Sequence, residues 1–157
     1  MFKAEYINPF LKGTIDTLDT MCDARPVRCA PLSLTQSAVQ AYDLFGTIGI
    51  SGFLHGAIVM AMPTETALKM TSAFLGETID EVNEDVMDAY GEILNILAGA
   101  GAAGFDGKTI DLSLPTVIAG RNRRHFCSEA NPWVIIPMRF PEWGDMDVEM
   151  SVKGGDG

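Results

Sequence analysis

Apolar residues along this chain recur at two spacings, and each predicts a different element. Between Asp80 and Ala103, Val82, Val86, Ala89, Tyr90, Ile93, Leu97 and Ala100 return every three or four residues. At about 100° per residue they gather on one side, which predicts one continuous helix over Asp80–Ala103. Phe10, Leu11, Ile15 and Leu18 repeat the same spacing. Asn8 is placed to cap that helix, Pro9 suits its first position, and it should end near Met21. A third helix is expected over Thr64–Leu75, opened by Pro63 and closed by Gly76.

The other apolar runs are strand-like. Tyr42–Ile50 and Phe53–Met62 are rich in Ile, Val and Phe, and Ser51-Gly52 between them is a hairpin signal. Arg25–Gln36 reads as extended chain interrupted by Pro26 and Pro31. Further extended stretches are Thr109–Leu114, Thr116–Ala119, Trp133–Phe140 and Asp147–Val152. Strands and helices come in blocks, without strict alternation. That favours an α+β fold with a mainly antiparallel sheet packed against long helices. No linker, repeat or low-complexity block divides the chain, so residues 1–153 are expected to form a single domain, with 154–157 a frayed tail.

Composition narrows the function classes. The chain has 157 residues, 47% hydrophobic and 20% charged, which suits one globular core. A net charge of −10 argues against nucleic-acid binding, which needs a basic face, and against docking on an anionic membrane. The three cysteines, Cys22, Cys29 and Cys127, lack metal-site spacing and suit a reducing compartment. The first six residues are too polar for a signal peptide, and the uncharged run Ile93–Phe105 is too short to span a bilayer. A cytoplasmic protein is the expectation.

The helix over Asp80–Ala103 carries the chemistry. Asp88, Glu92, Asn95 and Gly99 fall opposite the apolar stripe, in a band about 60° wide. Glu81, Glu84 and Asp85 extend it, and a favourable helix dipole accounts for those three without any function. The dipole does not account for Asn95, a mediocre helix former in mid-helix near a glycine that costs about 1 kcal/mol relative to alanine. A carboxylate and a carboxamide three residues apart lie side by side on a helix. The amide can donate and accept at once and so orient a water; the carboxylate can pair with a partner's lysine. Gly99 would let another chain approach closely.

The run Asp88-Ala89-Tyr90-Gly91-Glu92-Ile93-Leu94-Asn95-Ile96-Leu97-Ala98-Gly99 resembles the D-x-x-G-E-x-x-N-x-x-x-G helix of the CheC/CheX/FliY family of chemotaxis phosphatases. The opening Ala4-Glu5-Tyr6-Ile7-Asn8-Pro9-Phe10, the single clear copy of the motif and the stretch Leu114–Gly120 resemble the CheX branch. The resemblance implies a CheX-like α/β sandwich acting on the aspartyl phosphate of a phosphorylated CheY-like response regulator. It implies that Glu92 pairs with the regulator's active-site lysine and that Asn95 positions the attacking water, with Asp88 and Gly99 at the partner surface. It further implies no cofactor in this chain, a Mg²⁺ ion on the regulator, and a homodimer. A non-catalytic module binding a regulator or flagellar-switch component on the same fold is the alternative.

Other signals are weaker. Gly99–Gly104 matches G-x-G-x-x-G but closes a helix, whereas a dinucleotide site needs it between a strand and a helix start. Glu5-Tyr6-Ile7-Asn8 is a second literal E-x-x-N without its context. His55 and His125 have no identifiable catalytic partner, and Arg121–His125 reads as a solvated basic loop. From 70 to 107 there are eight acids and no Lys or Arg, so the motif helix is strongly negative.

Overall fold

A computed structural model describes residues 3–35, 37–39, 42–120, 125–127 and 132–155, the segments 37–39 and 125–127 by their backbone alone. The basic stretch 121–124, the His125 and Cys127 side chains and the last two residues lie outside the described residues.

The first helix, α1 (Ala4–Cys22), starts ahead of the expected cap. Asn8 is inside it, and Pro9 with it. A proline there removes one intrahelical bond, the one that would reach the Glu5 carbonyl. Extending the helix back buries Ile7 along with Phe10, a gain that works against the loss of that bond.

Short strands β1 (Val27–Arg28), β2 (Ser33–Thr35) and β3 (Ser37–Val39) follow. Two long strands, β4 (Leu44–Gly52) and β5 (Leu54–Met62), lead into α2 (Thr64–Leu75). Gly76 ends α2 at φ 73°, a left-handed conformation natural to glycine. Then come α3 (Glu84–Ala102), β6 (Ile110–Leu112), β7 (Thr116–Ala119), β8 (His125–Cys127), β9 (Trp133–Phe140) and β10 (Gly144–Gly154).

Every pairing between described strands is antiparallel. The main sheet runs β1-β9-β10-β5-β4-β6, with β2 also on β9 and β7 also on β4, while β3 and β8 form a separate pair. The α+β architecture expected from the sequence is present.

The link between β4 and β5 is not the tight hairpin that Ser51-Gly52 suggests. The two strands pair only as far as Ile50 opposite Gly56. Beyond that point they part: Ser51 and Gly52 join β6, and Leu54 and His55 join β10. Gly52, at φ 99°, permits the divergence. Gly154 and Gly155, expected in a frayed tail, are held: Gly154 pairs with Leu54 and the Gly155 N–H donates to the Phe53 carbonyl at 2.7 Å.

The helices cover one sheet face. Phe10 and Leu18 of α1, Met70 of α2 and Tyr90, Ile93, Leu94 and Leu97 of α3 pack on Ile48, Ile58, Met60, Ile136, Val148 and Met150. Phe45, Val59, Ala61 and Trp133 form a smaller cluster, drawn from alternate positions of the strands. Burial on both faces explains why β4 and β5 read as nearly unbroken apolar runs.

Two contacts fix α3 in place. The buried Tyr90 hydroxyl donates to the Met60 carbonyl at 2.6 Å, tying the helix to β5. Burial, with Glu149 nearby, pushes that phenol well above its ordinary pKa, so it stays a neutral donor. At the other end α1 crosses α3 so closely that a Cβ on Gly13 would lie 2.7 Å from the Gly101 nitrogen.

Candidate functional site

Helix α3 begins at Glu84, four residues later than Asp80. Asn83 is the reason: its side-chain oxygen accepts from the Val86 N–H at 2.9 Å, a direct N-cap. Glu84 and Asp85 then occupy the first turn, at the positive end of the dipole. Val82 is half-buried against the core from outside the helix. The helix continues unbroken through Gly91.

Asp88, Glu92, Asn95 and Gly99 are all exposed, while Val86, Ala89, Tyr90, Ile93 and Leu97 are buried. The buried face is wider than the stripe read from the sequence. Leu94 and Ala98 belong to it, because α3 is wedged between the sheet and α1, whereas Ala100 is exposed.

Asp88, Glu92 and Asn95 line one cleft of about 380 Å³ together with Met87, Gly91, Pro115 and Val117. The far wall is formed by Pro115, between β6 and β7, and Val117 of β7. It comes in close over Gly91, where a Cβ would already stand 3.4 Å from Val117 and 3.5 Å from Pro115. Ser113 pins this wall to β4: its N–H donates to the Gly49 carbonyl at 2.9 Å, and its Oγ accepts from the Gly49 N–H at 2.8 Å. Sequence periodicity did not reveal the wall, since it is a contact between an α-helix and a distant strand.

Among the described residues no hydrogen-bond or ion-pair partner is recorded for the side chains of Glu92 and Asn95. Gly99 lies one turn further on, and a Cβ there would meet nothing within 4 Å. The chain's own packing does not require a glycine at that position. The arrangement offers a carboxylate and a carboxamide, side by side and uncommitted, on a rigid helix open to an approaching molecule.

The remaining signals resolve structurally. Gly99–Gly104 closes α3, with Gly101 against Phe10 and Gly104 against Pro9, so its small residues serve helix crossing. Glu5 and Asn8 are exposed on α1, and Asn8 lines a groove between α1 and α3 that includes Lys12 and Asp16. His55 is exposed on β5 opposite Lys153. Cys22 is buried and its thiol is pushed up to about 11 by that burial, whereas Cys29 is exposed. Among the described residues no three His, Cys, Asp or Glu side chains gather as a metal site. No described helix is long and apolar enough to cross a membrane.

Fold and site together define an α+β protein that presents an acid–amide pair from the middle of a helix. Residues 44–139 match the family model described as chemotaxis phosphatase CheX, and the chain belongs to that family. It is 27% identical over 155 residues to the CheY-P phosphatase CheX of Thermotoga maritima, a match covering 97% of this chain and 98% of the relative. Among solved structures, the chemotaxis protein CheX of Desulfovibrio desulfuricans superposes with a TM-score of 0.82 at 26% identity, over 95% of this chain and 99% of the other. The CheX of a CheX–CheY–BeF₃–Mg²⁺ complex from Borrelia burgdorferi shares the fold at 22% identity, with a TM-score of 0.74 over 94% of this chain and 97% of the other.

Proposed function

We propose that this protein stimulates hydrolysis of the aspartyl phosphate on a CheY-like response regulator, using α3 as the inserted element. The observation that carries the reading is the Glu92–Asn95 pair, exposed on one helix face and with no side-chain partner among the described residues. Family membership supports the reaction class, and the Thermotoga relative, named for action on CheY-P, supports the substrate.

In this mechanism α3 enters the regulator's phosphorylation site. Glu92 pairs with the regulator's lysine and fixes the docked orientation. The Asn95 amide holds a water in line with the phosphorus. The water oxygen attacks phosphorus, the bond to the aspartate oxygen breaks, and aspartate carboxylate and inorganic phosphate are released. An aspartyl phosphate is already reactive, so alignment and charge neutralisation are the main demands. Asp88 borders the contact, and the open face at Gly99 leaves room for the partner's backbone. A Mg²⁺ ion belongs to the regulator in this reading.

The protein would work in the cytoplasm beside its regulator, as a homodimer formed along sheet edges. The edge beyond β9 supports the dimer: β1 and β2 are short and leave Val27 49% and Leu34 58% exposed. The test of the function is phosphate release from a panel of phosphorylated regulators with and without the protein. Faster release supports the reading; tight binding with unchanged release assigns the fold to a non-catalytic binding module.

A further inference from the structure

Next in sequence to Pro115, which lines the cleft with Glu92 and Asn95, stands an exposed apolar side chain that the proposed mechanism does not use. Leu114 is 88% exposed, well above Leu34 at 58%, the next most exposed large hydrophobic residue among those described. It sits between β6 and β7, directly before Pro115, which lines the cleft with the acid–amide pair.

Its backbone is held on both sides. Ser113 is fastened to Gly49 through its N–H and Oγ, and that Oγ in turn donates to the Leu114 carbonyl at 3.0 Å. Thr116 pairs with Thr47 on β4, and Pro115 restricts the residue before it to extended conformations. An exposed leucine on a fixed backbone has little conformational freedom left to lose when it is covered.

Charge supplies the second argument. Residues 70–107 contain eight acids and no Lys or Arg, and Asp88 and Glu92 both face the cleft. A phosphorylated aspartate is an anion too. Long-range attraction therefore contributes little to this encounter, and affinity needs an apolar source next to the reacting group.

We propose that Leu114 is the docking anchor of the site, burying its side chain in an apolar patch of the regulator beside the phosphorylated aspartate. The proposal deepens the function given above and rests on it. Leu114 does not touch the reacting atoms, so it sets affinity and leaves the chemical step to Glu92 and Asn95.

The experiment measures phosphate release against the concentration of a phosphorylated CheY-like regulator, and in parallel the Kd for the same regulator loaded with beryllofluoride and Mg²⁺. Leu114→Ser should raise KM and Kd about ten- to hundredfold, the range expected for losing a buried leucine contact, with kcat within about twofold of wild type. Leu114→Met, similar in volume and apolar, should recover most of the affinity. Melting curves of both variants should match wild type, because Leu114 is 88% exposed. Unchanged KM and Kd in Leu114→Ser, or a loss confined to kcat, overturns the anchor. A wild type that binds without accelerating release, with Kd still raised by Leu114→Ser, overturns the catalytic reading and leaves the anchor standing. No binding of wild type to any regulator tested overturns both.

Discussion

Two glycines on one turn of α3 should respond oppositely to the same substitution. Alanine at Gly99 meets open space, since nothing lies within 4 Å of the added Cβ. It gains up to about 1 kcal/mol of helix propensity. Alanine at Gly101 would put its Cβ 2.7 Å from Phe10 Cγ and 2.8 Å from Phe10 Cα. Carbon atoms pack comfortably at about 3.5–4.0 Å, so α1 would have to move away by roughly 1 Å. Phe10 is fully buried and cannot swing aside. Overpacking of this kind costs about 1–3 kcal/mol. The propensity gain is shared in kind, although smaller at Gly101, one residue from the helix end. The difference between the variants therefore reports mainly the helix crossing. For a chain of this size 1 kcal/mol shifts Tm by roughly 2–4 °C. Gly99→Ala should melt up to that much above wild type, and Gly101→Ala several degrees below Gly99→Ala, by circular dichroism with urea titration as a check. Gly101→Ala melting level with Gly99→Ala, or Gly99→Ala melting below wild type, would refute the packing argument.

Asp147 on β10 is half-buried, and burial, with Asp145 adding repulsion, raises its pKa to about 6. A carboxyl raised above its unfolded value holds extra protons in the folded state, so it lowers stability as pH climbs from about 4 to 6. Asp147→Asn should stabilise by about 1 kcal/mol at pH 7.5, after allowance for partial exposure, and the gain should vanish near pH 4 in paired urea titrations. For assembly, sedimentation at micromolar concentration should give a dimer, and Leu34→Asp on the sheet edge should shift it toward monomer; a wild type sedimenting only at 16.9 kDa would remove the proposed dimer.

Local signals in the sequence were legible where a single residue dominates the backbone. Pro63 and Gly76 bound α2 as read, and β7 and β9 fall on Thr116–Ala119 and Trp133–Phe140 without shift. Boundaries failed where tertiary burial competes. Asn8-Pro9 has the form of a helix start, yet α1 runs back to Ala4 to bury Ile7. Val82 matched the helical stripe, yet the Asn83 cap starts α3 at Glu84. Ser51-Gly52 had the form of a tight turn, but competing partners β6 and β10 pull the strand ends apart. The face bearing Asp88, Glu92, Asn95 and Gly99 was legible because helical periodicity alone sets it. The wall of Pro115 and Val117 was not, because no local pattern encodes which helix a distant strand will meet.

Asn95 carries the central step of the proposed chemistry. Its amide is proposed to hold the attacking water, a contact that matters chiefly in the transition state. Losing such a group costs roughly 2–4 kcal/mol of barrier, about thirtyfold to a thousandfold in kcat. Asn95→Ala should show that loss in phosphate release at saturating regulator, with Kd for the beryllofluoride-loaded regulator within a few-fold of wild type. Glu92→Ala, by contrast, should weaken binding as well as rate. Both side chains are exposed, so Tm should hold or rise slightly. Asn95→Ala releasing phosphate at the wild-type rate, correctly folded and saturated with regulator, would contradict the mechanism.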